Sequence, residues 1–399
     1  MEWGWFPTEC KETMKTALNE TELQMIGQAT FKKTAEIGFR HAQENLPYIK
    51  QSILDVPKPV PAKGPSAIAM SAGPSLHRQF TIQRMMAHGY KGTVVVADGA
   101  LGYCLRNGLV PDYVVTVDPH PTWIIRWFGD PNLATRPDDD YFRRQDLDPA
   151  WNSREQERNE ELISLVNEHG SKIKVIIATC VSPNVVRRCL QAKMPLYWWN
   201  PICDDYEEPG SHTQRLFNLT GMPCMVTGGN CGASAWIFAK AILERDPVGM
   251  VGMDLGYAPG TPLEKTQYYH ELIKFYPAER LEEAYIQMHN PHLDETWFTD
   301  PTYYWYRQCF LQMVQQSGWT GYNCTEGGTL FGEGIEWIAL DEFIRRNSLL
   351  CKEGQREVEI STPPLHPPTP EVAKTTSCAR GLLLQKGGRI VNVRGESNG

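Results

Sequence analysis

The sequence predicts an α/β fold, a mostly parallel sheet with helices on both faces, and three observations carry that prediction. Apolar runs of four to seven residues occur without alternation: SAIAMS (66–71), TVVVA (93–97), YVVTV (113–117), IKVIIAT (173–179), LYWW (196–199) and VGMVGM (248–253). A strand covered on both faces has no polar side to display, so such runs fit the interior of a parallel sheet. The stretches between them are long enough for crossover helices, which parallel strands require. Glycines or acids stand directly after several runs, where an open parallel sheet binds its ligands.

Taken in order, residues 8–50 carry helix-type patterning, with Leu23, Ile26, Phe31, Ile37 and Phe39 among Lys, Glu and Gln, and Asn19 or Thr21 as N-cap. This gives an N-terminal helical segment, 1–54, that packs on the main body. DVPKPVPAKGP (55–65) is too rich in proline for either regular element and reads as a linker. Residues 66–260 hold the six runs and form a Rossmann-like nucleotide-binding core. Within it, 130–160 is charged and Pro-containing and reads as an insertion over the sheet, with Asp138, Asp139 and Asp140 as a solvated loop or a metal site. Residues 261–350 return to helical patterning with many aromatics, among them Tyr268, Tyr269, Phe275, Tyr285, Trp297, Tyr303, Tyr304 and Trp305, and read as a helical lid plus the C-terminal part of the core. GIEWIALDEFIRRNSLL (334–350) reads as one amphipathic helix. Residues 361–399 form a Pro-rich linker and a tail with at most one short strand, around GRIVNV.

Composition narrows the function. With 39 Lys and Arg against 47 Asp and Glu the net charge is −8, which argues against a general nucleic-acid binder, since phosphate recognition needs positive charge. Eleven cysteines with no C-x-x-C pair suit reduced thiols rather than a zinc ribbon or a disulfide framework. No apolar run approaches the roughly 18 residues of a membrane span, and the N-terminus lacks the pattern of a signal peptide, so a soluble, cytoplasmic protein is expected.

The residues after each run are the candidate site. Gly73, Pro74 and Ser75 follow the first, as either a phosphate cradle or a plain strand-to-helix turn. Asp98 follows the second and Asp118 the third; acids at adjacent strand ends accept from ribose hydroxyls or base amino groups, hold Mg²⁺, or simply cap helices. Thr227, Gly228, Gly229 and Asn230 open an apolar helix whose first amides offer an anion site. Asp254 and Tyr257 follow VGMVGM, and Asn323, Thr325, Glu326 and Gly327 precede a Gly-rich stretch that suggests backbone contact with a ligand or a tight turn.

In chain order, GPSL, ADGAL with PDYVVTVDPHP, TGGNCGASAWIFAKAIL, VGMDLGYAPGT and NCTEGGTLFGEGI resemble the bacterial motility-associated factor (Maf) proteins, over about residues 66–345. The same domain is similar to the archaeal 6-hydroxymethylpterin diphosphokinases (MptE-like), and GPSL with the TGG helix to bacterial sialyltransferases. The resemblance implies a transferase that moves a nonulosonic, sialic-acid-like sugar from a CMP donor to a protein or glycan hydroxyl, with flagellin as one such acceptor and no obligatory cofactor or metal. It also implies a histidine base, for which His289 is favoured over His270 and His292, with Tyr257, Tyr268 and Tyr269 as hydroxyl donors. The diphosphokinase alternative would use ATP and Mg²⁺. Those enzymes tend toward D-x-D after the third strand, where this chain has Asp118-Pro119-His120, so the Maf-like reading stands first. A third reading is a non-catalytic nucleotide-binding scaffold.

Overall fold

A computed structural model of the chain describes residues 34–136, 154–353, 383–386 and 389–392. Every apolar run becomes a strand: β1 (Ala67–Met70), β2 (Thr93–Ala97), β3 (Tyr113–Thr116), β4 (Lys174–Ala178), β5 (Leu196–Ile202) and, after β6 (Cys224–Val226), β7 (Val248–Val251). An antiparallel hairpin follows, β8 (Ile286–Asn290) with β9 (Glu295–Thr299), then β10 (Gly321–Asn323) and β11 (Ile335–Trp337). β12 (Leu383–Lys386) and β13 (Arg389–Asn392) pair antiparallel in the tail, where a single strand was expected.

Nine strands form one sheet in the order β11-β10-β7-β1-β2-β3-β4-β5-β6, and every pairing in it is parallel. β1, β2, β3 and β7 are buried along their whole length, as strands covered on both faces must be. The covering helices are α1 (34–45), α2 (Ser75–Arg78), α3 (Thr81–Ala87), α4 (Asp98–Arg106), α5 (Glu155–His169), α6 (Pro183–Gln191), α7 (His212–Thr220), α8 (Cys231–Ile237), α9 (Tyr269–Leu272), α10 (Pro301–Ser317) and α11 (Leu340–Glu353). α8 continues without interruption into a π-helical turn, Phe238–Ile242.

Three expectations are corrected. The aromatic-rich segment is not wholly helical: Tyr257, Leu272, Leu281, Ala284, Tyr285 and Phe298 make a second small core, and the β8–β9 hairpin supplies part of it. Residues 334–350 are not one helix; Ile335–Trp337 pair with β10 and the helix begins at Leu340, because edge pairing with β10, which half-buries Ile335 and Trp337, overrides their helical spacing. The linker 55–65 is not a free hinge. Asn45 Nδ2 donates to Thr179 O and Val181 O beyond the carboxyl end of β4, at 3.0 and 2.8 Å. The chain then passes Trp198, whose amide donates to Gln51 O. Tyr113 Oη donates to Pro57 O (2.9 Å), and Lys63 pairs with Asp112 (2.8 Å) at the amino end of β3. A strap thus joins the two ends of the sheet, with Ile53 and Val56 buried under it. Asp138, Asp139 and Asp140 lie outside the described residues.

Candidate active site

The candidate residues fall into two groups with different character. In the first, Asp98 opens α4 directly after β2. Its Oδ1 accepts from Gly99 N (2.8 Å) and its Oδ2 from Thr116 Oγ1 (2.7 Å). Burial pushes this carboxyl up to about 6, against the pull of those two hydrogen bonds. Asp118, beyond the end of β3, keeps solvent access yet is crowded by protein. That crowding raises its proton affinity, opposed by His120 N, which donates to Oδ1 at 2.7 Å. Adjacent strand ends therefore bring both acids to one edge of the sheet, near enough for the Asp118 charge to raise Asp98 further.

The Thr227–Asn230 turn leads from β6 into α8. Gly228 (φ +62°) and Gly229 (φ +90°) both take left-handed backbone, which side chains resist. Asn230 Oδ1 caps Ala233 N at 2.9 Å, so the amides of Cys231 and Gly232 are the remaining first-turn donors. The Cys231 thiol donates to Val115 O (3.0 Å), and burial together with the Asp98 charge pushes it well up, so it is no nucleophile. Tyr306 of α10 lies over this turn, its Cδ1 3.1 Å from where a Gly229 Cβ would stand. Its hydroxyl is 3.3 Å from that of Tyr268. Burial, with the Asp118 and Asp300 carboxylates nearby, raises the Tyr306 phenol to about 12, so it stays a donor at neutral pH. Asp98, Asp118, residues 227–232 and the two tyrosines are thus one constellation: anion donors opposite a carboxylate.

The second group is closed on itself. Gly73 packs so tightly that a Cβ would fall 1.9 Å from Asp254 Oδ2. Ser75 donates to Asp254 through both its amide (3.3 Å) and its hydroxyl (2.6 Å). The turn offered by Gly73, Pro74 and Ser75 is therefore filled by the protein's own carboxylate, which burial pushes up to about 6. Residues Asn323–Gly327 form a self-bonded turn beside it, and the Thr329 amide that follows donates to Asp254 O (2.8 Å). Asn323 Nδ2 donates to Leu330 O (2.7 Å) and its Oδ1 accepts from Thr325 N (3.0 Å); Thr325 Oγ1 accepts from Met253 N (3.2 Å). Glu326 pairs with Arg84, which also holds Asp341 at 2.9 Å, and Gly327 backs onto Ser75 and Trp297. β1 lies between β2 and β7, where the strand order reverses. That usual ligand crevice is occupied by Asp254, and the open constellation lies one strand over. The two groups meet only back to back: a Cβ on Gly232 would meet Ser71, while Gly73 and Ser75 face Asp254.

Neither residue expected to be catalytic is hydrogen-bonded to the open group among the described residues. Tyr257 is buried in the second core; its hydroxyl donates to Asp300 Oδ2 (2.5 Å) and accepts from Gln267 N (2.9 Å), which consumes it structurally. His289 sits on β8 with its side chain 57% exposed, 3.6 Å from Asp294, and no hydrogen bond or ion pair ties it to Asp98 or Asp118. His292 stacks on Trp337 and His270 lies against Tyr269. Tyr306 and His120 were not singled out from sequence; the former stands mid-helix in YYWYR, where aromatic spacing looks like ordinary packing.

Comparison with known proteins adds three findings. Residues 40–124 match the family model described as 6-hydroxymethylpterin diphosphokinase MptE-like. No curated protein matches. Among solved structures, the chain is similar to a Maf glycosyltransferase from Magnetospirillum magneticum AMB-1, with 12% identity and a TM-score of 0.46, over 80% of this chain and 42% of that one. The chain thus spans less than half the length of that solved protein. The likeness to the MptE-like family is shown over residues 40–124, which hold the GPSL, ADGAL and PDYVVTVDPHP motifs.

Proposed function

We propose that the chain is a Maf-like glycosyltransferase that moves a nonulosonic sugar from a CMP donor to a hydroxyl of a protein or glycan. The observation that carries this reading is the open constellation: amide donors at the start of α8 and the paired Tyr268 and Tyr306 hydroxyls, set opposite Asp118, of whose two oxygens only Oδ1 receives a hydrogen bond from the described residues. In the reaction the acceptor hydroxyl gives its proton to Asp118, its oxygen bonds to the anomeric carbon, and the bond from that carbon to the phosphate oxygen breaks with both electrons leaving on CMP. Amides and phenols that hold the departing phosphate stabilise that charge where it develops. Asp118 takes the place of His289 as base, since it alone of the two lies in the constellation.

The diphosphokinase reading is favoured by the match over residues 40–124. Phosphoryl transfer from ATP relies on Mg²⁺, and here both oxygens of Asp98 already accept hydrogen bonds, leaving one oxygen of Asp118 rather than a pair of carboxylates. A thermal-shift series on the full chain with CMP, ATP, GTP and a pterin decides between them. A ligand at about 100 times its Kd adds roughly 2.7 kcal/mol of stability. Stabilisation by CMP, followed by turnover of a CMP-sugar, is the expected result; stabilisation by ATP and pterin with no response to CMP reverses the order, and binding with no turnover of any donor marks a scaffold.

A further inference from the structure

The segment Asp118–Trp123 is built as a hook, and each of its parts is tied down. Pro119 lies against α1, its Cβ 3.6 Å from the Cβ position of Gly38. Pro121 O accepts from Ser182 Oγ (3.3 Å) and from Asn184 Nδ2 (3.1 Å). The His120 ring stacks on Trp123, with centroids 3.9 Å apart and planes 12° from parallel. Its Nδ1 receives two backbone amides, Thr122 N at 3.3 Å and Trp123 N at 3.0 Å. An amide can only donate, so Nδ1 must be the unprotonated nitrogen and the proton of the neutral ring sits on Nε2. The backbone amide of the same residue holds Asp118 Oδ1 at 2.7 Å.

We infer that His120 is a positioning residue that holds Asp118 in its working orientation and takes no part in moving the proton. Its imidazole fixes the turn from the inside; its amide fixes the carboxylate. An imidazole locked with Nδ1 as acceptor and Nε2 as donor has no lone pair to offer an incoming hydroxyl, so it is excluded as the base despite standing two residues from Asp118. This rests on the proposed role of Asp118, although the ring's protonation pattern does not.

The test has two arms. In protein labelled with ¹⁵N-histidine, the resonances lost in His120→Asn identify the His120 ring. They are expected to show an unprotonated Nδ1 and a protonated Nε2 near neutral pH; the opposite tautomer, or a charged ring, overturns the inference whatever the enzyme does. In the second arm, His120→Asn keeps a short side-chain acceptor for the same two amides, while His120→Ala keeps none. The alanine variant should lose roughly 100-fold in kcat, the scale of a misplaced reacting group, with the KM for donor within about threefold, since uniform binding is untouched. The asparagine variant should recover most of that loss and retain the wild-type pH profile. If asparagine is as inactive as alanine and a limb of the profile disappears with the ring, His120 carries the proton and the positioning role is wrong. If no donor is turned over by the wild-type chain, the proposed function fails, and the first arm still decides the state of His120.

Discussion

Replacing Asp254 with asparagine separates a carboxylate that serves the fold from one that serves a ligand. Asp254 is buried and its carboxyl is raised from an ordinary 3.8 to about 6, chiefly by burial. At about 1.4 kcal/mol per pH unit, this amounts to roughly 3 kcal/mol of stability. The sign follows from proton binding: the folded state holds this proton more tightly than the unfolded one. The contribution is fully present below pH 3.8 and is lost as pH rises through about 6. Asparagine has nearly the same shape, keeps an oxygen for Ser75 N, and never ionises. Asp254→Asn should therefore be more stable than wild type near neutrality, by up to about 3 kcal/mol or a few degrees in Tm, with the gap closing toward about pH 4. Urea or thermal unfolding of both chains at the two pH values reads this directly. A variant less stable at neutrality, by a margin that closes in acid as the wild-type carboxyl takes its proton, would show that Ser75 holds the charge outright and that burial does not dominate. The same variant should bind nucleotide as wild type does; a loss of affinity would return Asp254 to the ligand site.

Three further outcomes are expected. Gly229→Val places a branched side chain at φ +90° with its Cβ 3.1 Å from Tyr306; it should cost about 1–3 kcal/mol of stability and weaken nucleotide binding at least about tenfold, and unchanged affinity by calorimetry would leave the glycines with packing alone. Tyr306→Phe removes one donor from the constellation and should lower kcat by about 100-fold at nearly constant Tm; unaltered kcat would remove the phenol from the mechanism. Transfer from a CMP-sugar should survive EDTA, and activity abolished by chelator and restored by Mg²⁺ would favour the diphosphokinase.

The parallel core was legible because its strands are apolar throughout: TVVVA and IKVIIAT announce burial on both faces without any tertiary information. β6, β10 and β11 are only three residues each, too short for any periodicity; β6 and β10 exist because the longer β5 and β7 offer them an edge, and β11 extends β10 in turn. In the hairpin only β8 alternates, and β9 ends in the apolar run Trp297-Phe298, paired with Met288 and Gln287, so an aromatic-rich stretch hides the strand pattern. At the site, Asp98, Asp118 and the Thr227–Asn230 turn could be found from their place after the strands. That Asp254 would fill the Gly73–Ser75 turn could not, because the contact joins residues 179 apart and nothing local to GPSL distinguishes an internal carboxylate from an external phosphate.

The N-terminal strap has a bearing on how this chain comes to be folded during its synthesis. His41 and Asn45 bind backbone 139 and 136 residues downstream, at Cys180 and Val181, and Gln51 waits for Trp198. At about 5–20 residues per second, the ribosome needs on the order of ten seconds to deliver those partners after the strap itself has emerged. Through that interval Ile53, buried in the finished molecule and set in the turn that packs on β5, lacks that strand to cover it. Contacts of such sequence separation form late and slowly, so the first described part of the chain to be made is among the last to dock. It is then also where a chaperone would find exposed apolar surface, and where truncation would interrupt the final step of folding rather than trim a dispensable end.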